Sequence, residues 1–129
     1  MNEKPQRAFL VVEDELMILG IVKSVLSSFG REVLTATTIN RAREIYANCS
    51  SNIELLLTDV ALADGSGLTF AAGLLEAAPK LKVILMTGFA FHGDDLAGLD
   101  EHQFVLLEKP FDIESLKRAV TGLISSPTI

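Results

Sequence analysis

Glu13, Asp14, Asp59, Thr87 and Lys109 are the residues of this sequence whose types could do chemistry together. Taken singly, each has a plain structural use. Asp14 would serve as a helix cap, Thr87 as a turn hydroxyl and Lys109 as a solvated surface charge. Their placement is what sets them apart. Glu13 and Asp14 follow AFLVV directly, Asp59 ends LLLTD, Thr87 follows KVILM, and Lys109 comes just after FVLL. Carboxylates brought close together repel and raise one another's pKa. A hard divalent cation relieves that conflict. Mg²⁺ takes one or two carboxylates, a carbonyl and waters, and then a phosphate oxygen. The chemistry on offer is a divalent-cation site built from carboxylates.

The elements that must position these residues alternate along the chain. Strands are expected at Ala8–Val12, Glu32–Ala36, Leu55–Thr58, Lys82–Met86 and Phe104–Leu107. A helix is expected from Leu16 to Phe29, with Ile18, Val22, Val25 and Phe29 inward and Gly30 as its stop. A second starts at a Thr38 cap and turns Ala42, Ile45, Tyr46 and Cys49 inward. A third covers Leu68–Ala78 and ends at Pro79. A fourth follows an Asp112 cap with Ile113, Leu116, Val120 and Leu123 inward. Strands apolar on both faces belong in a parallel sheet covered by helices. The alternation therefore predicts a doubly wound α/β domain, α/β in class. In such a sheet the crevice lies outside the carboxyl ends of the strands, which is where all five polar residues fall. Gly88–Gln103 breaks the scheme: its three glycines and poor apolar spacing predict a distorted helix or an irregular loop.

Composition bounds the rest. The 129 residues suit one domain, with Lys and Arg at 11 against 17 Asp and Glu, a formal charge of −6. That balance argues against direct nucleic-acid binding and against an anionic membrane surface. The single cysteine, Cys49, allows no internal disulfide and reads as a core thiol. No apolar run approaches a membrane span and no signal core opens the chain, so a cytoplasmic location is expected. His92 and His102 lack a partner at metal-ligand spacing. Asp64, Gly65, Ser66 and Gly67 read as turn residues, and their GSG lacks the third glycine of a dinucleotide fingerprint.

The segments FLVVEDE, LLLTDVALADGSGL, VILMTG and LLEKPFD, in this order and spacing, resemble the receiver domain of bacterial two-component response regulators. The resemblance runs from about Ala8 to Ile124 and makes residues 1–129 a single receiver domain. It implies a flavodoxin-like five-stranded parallel sheet of order 2-1-3-4-5 with helices on both faces. It implies that Asp59 accepts a phosphoryl group from a phosphohistidine of a histidine kinase or histidine phosphotransfer protein. Asp14 would then ligate Mg²⁺ directly, Glu13 through water, and the Ala61 backbone carbonyl would complete the protein ligands beside Asp59. Thr87 would be the switch hydroxyl and Lys109 the cation that pairs with the phosphoryl group, helped by a backbone amide near Val60. A receiver is a phosphoacceptor that assists its own phosphorylation and dephosphorylation rather than an enzyme acting on others.

The sequence departs from the family pattern in three places. No proline follows Asp59 closely, the usual aromatic three residues before Lys109 is Leu106, and beside the path of a hydrolytic water Ala61 offers no side-chain group to orient it while Phe89 would shield the site. The chain reads as a stand-alone receiver or the receiver of a hybrid kinase, with a downstream protein target left unnamed. Two other classes fit less well. A haloacid-dehalogenase-like phosphatase would need an aspartate at Ala61, and a phosphorylation-independent interaction module would have no use for the five polar residues.

Overall fold

The computed structural model describes residues 7–49, 52–88 and 104–124. The stretch expected to be irregular, Gly88–Gln103, lies outside them apart from Gly88, and so do His92, His102, Phe89 and both chain ends. The elements run β1 (Ala8–Val12), α1 (Leu16–Ser27), β2 (Glu32–Ala36), α2 (Ile39–Cys49), β3 (Ile53–Asp59), β4 (Ala61–Leu62), β5 (Gly65–Ser66), α3 (Gly67–Ala77), β6 (Lys82–Thr87), β7 (Phe104–Glu108) and α4 (Ile113–Leu123). Five strands form one parallel sheet in the order β2-β1-β3-β6-β7. This is the expected flavodoxin-like order, with β4 and β5 forming a separate antiparallel hairpin between β3 and α3.

Alternation along the central strands divides the core in two. Leu10, Val12, Leu56, Val83 and Leu85 point to one face and pack with Ala42 of α2 and Phe70, Ala71 and Leu75 of α3. Phe9, Val11, Leu55, Leu57, Ile84 and Met86 point to the other and pack with Val22, Val25 and Leu26 of α1 and Leu116 and Val120 of α4. Each fully buried side chain of this size stabilises the fold by about 1.5–3 kcal/mol relative to exposure. β1 is buried along its whole length, which is why its sequence is an unbroken apolar run.

Three details differ from the sequence reading. α1 stops at Ser27, two residues early. The amides of Ser28, Phe29 and Gly30 bond carbonyls three residues back, and Gly30 at φ 77° turns the chain away. Ile113 is 51% exposed rather than inward; it is the first residue of α4, whose buried face is carried by Leu116 and Val120. α3 begins at Gly67, one residue early, and buries Phe70, Ala71 and Leu75 while Leu68 is half-buried.

Candidate functional site

The parallel register delivers the polar residues to one rim. Val12 lies beside Thr58 and Asp59 beside Met86, so Glu13 and Asp59 leave adjacent strands at the same level. Thr87 pairs with Glu108, and the Lys109 amide donates to the Thr87 carbonyl at 2.7 Å, which fixes where the lysine leaves β7. Glu13, Asp59 and Thr87 are all buried.

One oxygen from each of Glu13, Asp14 and Asp59 falls within 4.8 Å of the others, a group that could hold a metal ion. Asp14 is the exposed member. It does not cap α1; the N-cap residue is Glu15, and no side chain caps that end. Instead Glu13 Oε2 accepts from the Glu15 amide at 3.0 Å. Lys109 Nζ stands 2.7 Å from Asp59 Oδ2, 2.8 Å from Glu13 Oε1 and 3.6 Å from Glu15 Oε1. The contact with Asp59 is a hydrogen bond. The contact with Glu13 is a close ion pair without hydrogen-bond geometry, so among the described residues Glu13 Oε1 is a buried acceptor with no directed donor. A buried carboxylate oxygen in that condition, next to two further carboxylates, is the donor set a hard cation takes.

Burial pushes the Glu13 carboxyl above the ordinary glutamate range, and the Asp59 charge adds to the push; Lys109 and the Glu15 amide only partly counter it. Burial likewise works against the Lys109 ammonium, but Asp59 and Glu13 outweigh it and hold Lys109 above the ordinary lysine range.

The turn after Asp59 is built tightly. Asp59 Oδ1 accepts from the Ala61 amide at 3.1 Å. The Val60 amide, expected near the reacting oxygens, is instead bonded to the Met86 carbonyl at 2.9 Å, so Ala61 supplies the amide beside the carboxylate. Gly67 donates to the Val60 carbonyl at 2.7 Å and lies so close that a Cβ there would sit 1.9 Å from the Asp59 carbonyl oxygen. Ser66 caps α3 by accepting from the Thr69 amide. Asp64 reaches across to α2, accepting from the Ile39 and Asn40 amides at 2.9 and 3.1 Å. A loop without proline is thus held by a hairpin, a glycine contact and a clasp to a neighbouring helix.

The profile of the response regulator receiver domain matches residues 9–121. The chain belongs to the response regulator receiver domain family. It is 32% identical over 119 residues to the DNA-binding transcriptional regulator NtrC of Salmonella typhimurium, covering 89% of this chain and 24% of that one. The chain therefore spans about a quarter of the length of such curated relatives. The receiver domain of a response regulator from Clostridium thermocellum is 28% identical with a TM-score of 0.74, over 91% of this chain and 94% of that one. The receiver domain of the hybrid histidine kinase CckA is 26% identical with a TM-score of 0.72, over 91% and 99% of the two chains. Receiver domains are phosphoacceptors rather than conventional enzymes.

The fold gathers Glu13, Asp14, Asp59 and Lys109 into one contact set and brings Thr87 to the same rim through β6. Two residues of the site escape a reading by position. Glu15 touches the lysine only after the chain turns, and its only signal was the third acid of EDE. Gly67 matters through a tertiary contact that no local pattern encodes.

Proposed function

We propose that this receiver takes a phosphoryl group onto Asp59 from a phosphohistidine of a histidine kinase or histidine phosphotransfer protein, in the cytoplasm, through one receiver unit of about residues 8–124. The observation that carries the reading is the Lys109 ammonium bonded to Asp59 Oδ2 within a three-carboxylate cluster. An Asp59 oxygen attacks phosphorus in line, the P–N bond breaks, and the imidazole leaves with its electron pair and takes up a proton. Glu13, Asp14, Asp59 and the Ala61 carbonyl would hold Mg²⁺, which supplies charge neutralisation for the transferring group. The chain's own groups do the positioning. The Ala61 amide holds one Asp59 oxygen and so aims the other. Lys109, held at that second oxygen, stands beside the place where the incoming negative charge arrives. The Thr87 hydroxyl then donates to a phosphoryl oxygen and reports the new state to a downstream protein target.

The donor's approach is favoured by what surrounds the rim. Leu16 and Met17 are 72% and 81% exposed, and Ile21 is exposed beside them. A groove of about 400 Å³ lined by Glu15, Ile18, Ile21, Lys109, Pro110 and Phe111 runs on from the acids. An apolar helix face carrying the phosphohistidine fits there, because Glu15 and Lys109 belong to both groove and site.

Incubation with phosphoramidate and Mg²⁺ should add one phosphoryl mass to the protein, and Asp59→Asn should take up none. Equal labelling of Asp59→Asn would overturn the assignment.

A further inference from the structure

Resting on that reading of the site, we propose that Glu15 is a positioning residue for Lys109. It gives the ammonium a second seat, so that Mg²⁺ can take the Glu13 and Asp59 carboxylates without stranding the lysine charge.

Among the described residues three carboxylates touch Lys109 Nζ, and two of them, Glu13 and Asp59, also belong to the group that could hold the cation. A divalent ion brought to these carboxylates sets a second positive charge beside an ammonium that already holds them at 2.7 and 2.8 Å, and the like charges repel. The lysine must give ground. Its side chain is only 16% exposed, so it does not simply swing into water. Among the described residues Glu15 is the remaining carboxylate within reach, at 3.6 Å, and it lies outside the cation group.

The backbone fits Glu15 for this role. Its amide is bonded to Glu13 Oε2, which ties its main chain to the acid the lysine must release. Its side chain is 64% exposed, free to turn toward the ammonium at little desolvation cost. An exposed pair at 3.6 Å contributes little in a static structure. Its worth lies in the exchange, because it lowers the free energy of the cation-bound state and leaves the resting state nearly unchanged.

Calorimetric Mg²⁺ titration of four proteins tests this: the native chain, Glu15→Gln, Lys109→Met and the double variant. Glu15→Gln should weaken Mg²⁺ binding about threefold to tenfold when Lys109 is present. In the Lys109→Met background the same change should have less than about a twofold effect, since no ammonium then needs a seat. Equal weakening in both backgrounds would mean that Glu15 acts on the ion through its field alone, and the proposal fails. No weakening in either also overturns it. A native chain that binds no Mg²⁺ defeats the metal reading itself, whereas Mg²⁺ binding with no coupling defeats only the role of Glu15. Should Lys109→Met not fold, the Lys109 ammonium resonance in Mg²⁺-saturated protein decides. It should exchange with water faster in Glu15→Gln than in the native chain, and an unchanged rate rejects the proposal.

Discussion

Replacing Glu13 by glutamine would remove a charge from a fully buried side chain while keeping an oxygen for the Glu15 amide. Lys109 would keep Asp59 and Glu15 as partners. The native carboxylate is held against burial and against the Asp59 charge, so its loss relieves more than it removes. Glu13→Gln should therefore raise the melting temperature in EDTA, by roughly 3 °C for each kcal/mol relieved at this chain length. The same variant should lose much of its response to Mg²⁺. An unchanged or lower melting temperature in EDTA would count against a strained carboxylate cluster. At this scale the sequence was informative wherever position did the work. Acids directly after apolar strands can be placed on a rim from strand ends alone. The Ala61 amide beside Asp59 and the Glu15 contact with Lys109 could not be read, because each depends on how a turn folds back.

The turn from Asp59 to Gly67 is where local reading reached its limit. DGSG was recognisable as a turn, but a clasp from Asp64 to residues 25 and 24 positions earlier has no signature in the residues around it. Two outcomes follow from its geometry. Gly67→Ala would force a methyl to 1.9 Å from the Asp59 carbonyl oxygen, against backbone that cannot yield cheaply. We expect a loss of about 1–3 kcal/mol or more in denaturant melts, with slower uptake of the phosphoryl group because Asp59 itself is displaced. Full stability and full labelling in that variant would contradict the close approach. The Ile39 and Asn40 amides, more than the Arg43 charge, hold the Asp64 carboxyl below its ordinary value of about 3.9. A carboxyl whose folded pKa is depressed adds stability above its unfolded pKa and loses it as pH falls through the folded one. Acid unfolding of the native chain should thus steepen below about pH 4. Asp64→Asn should flatten that limb, and identical acid limbs would remove Asp64 from the clasp.

Over the molecule as a whole, a cation that binds only the native state should raise the melting temperature. At about 100-fold above Kd the gain is about 2.7 kcal/mol. A melting temperature that stays flat across a millimolar Mg²⁺ titration would contradict the site. The fold was legible at this scale because strand–helix alternation and doubly apolar strands admit few arrangements, and the order β2-β1-β3-β6-β7 is the one found. The hairpin of β4 and β5 was not, since two-residue strands carry no periodicity. The sheet that carries the rim has one more effect. Phe9 and Leu10 are neighbours in sequence yet belong to separate packing layers, with a main-chain wall between them. Volume lost on one side cannot be refilled from the other. For a lineage drifting under mutation, these are two separate jigsaws cut from a single strip. Each compensating change must come from its own layer, and the strands keep the rim aligned only while both pictures stay complete.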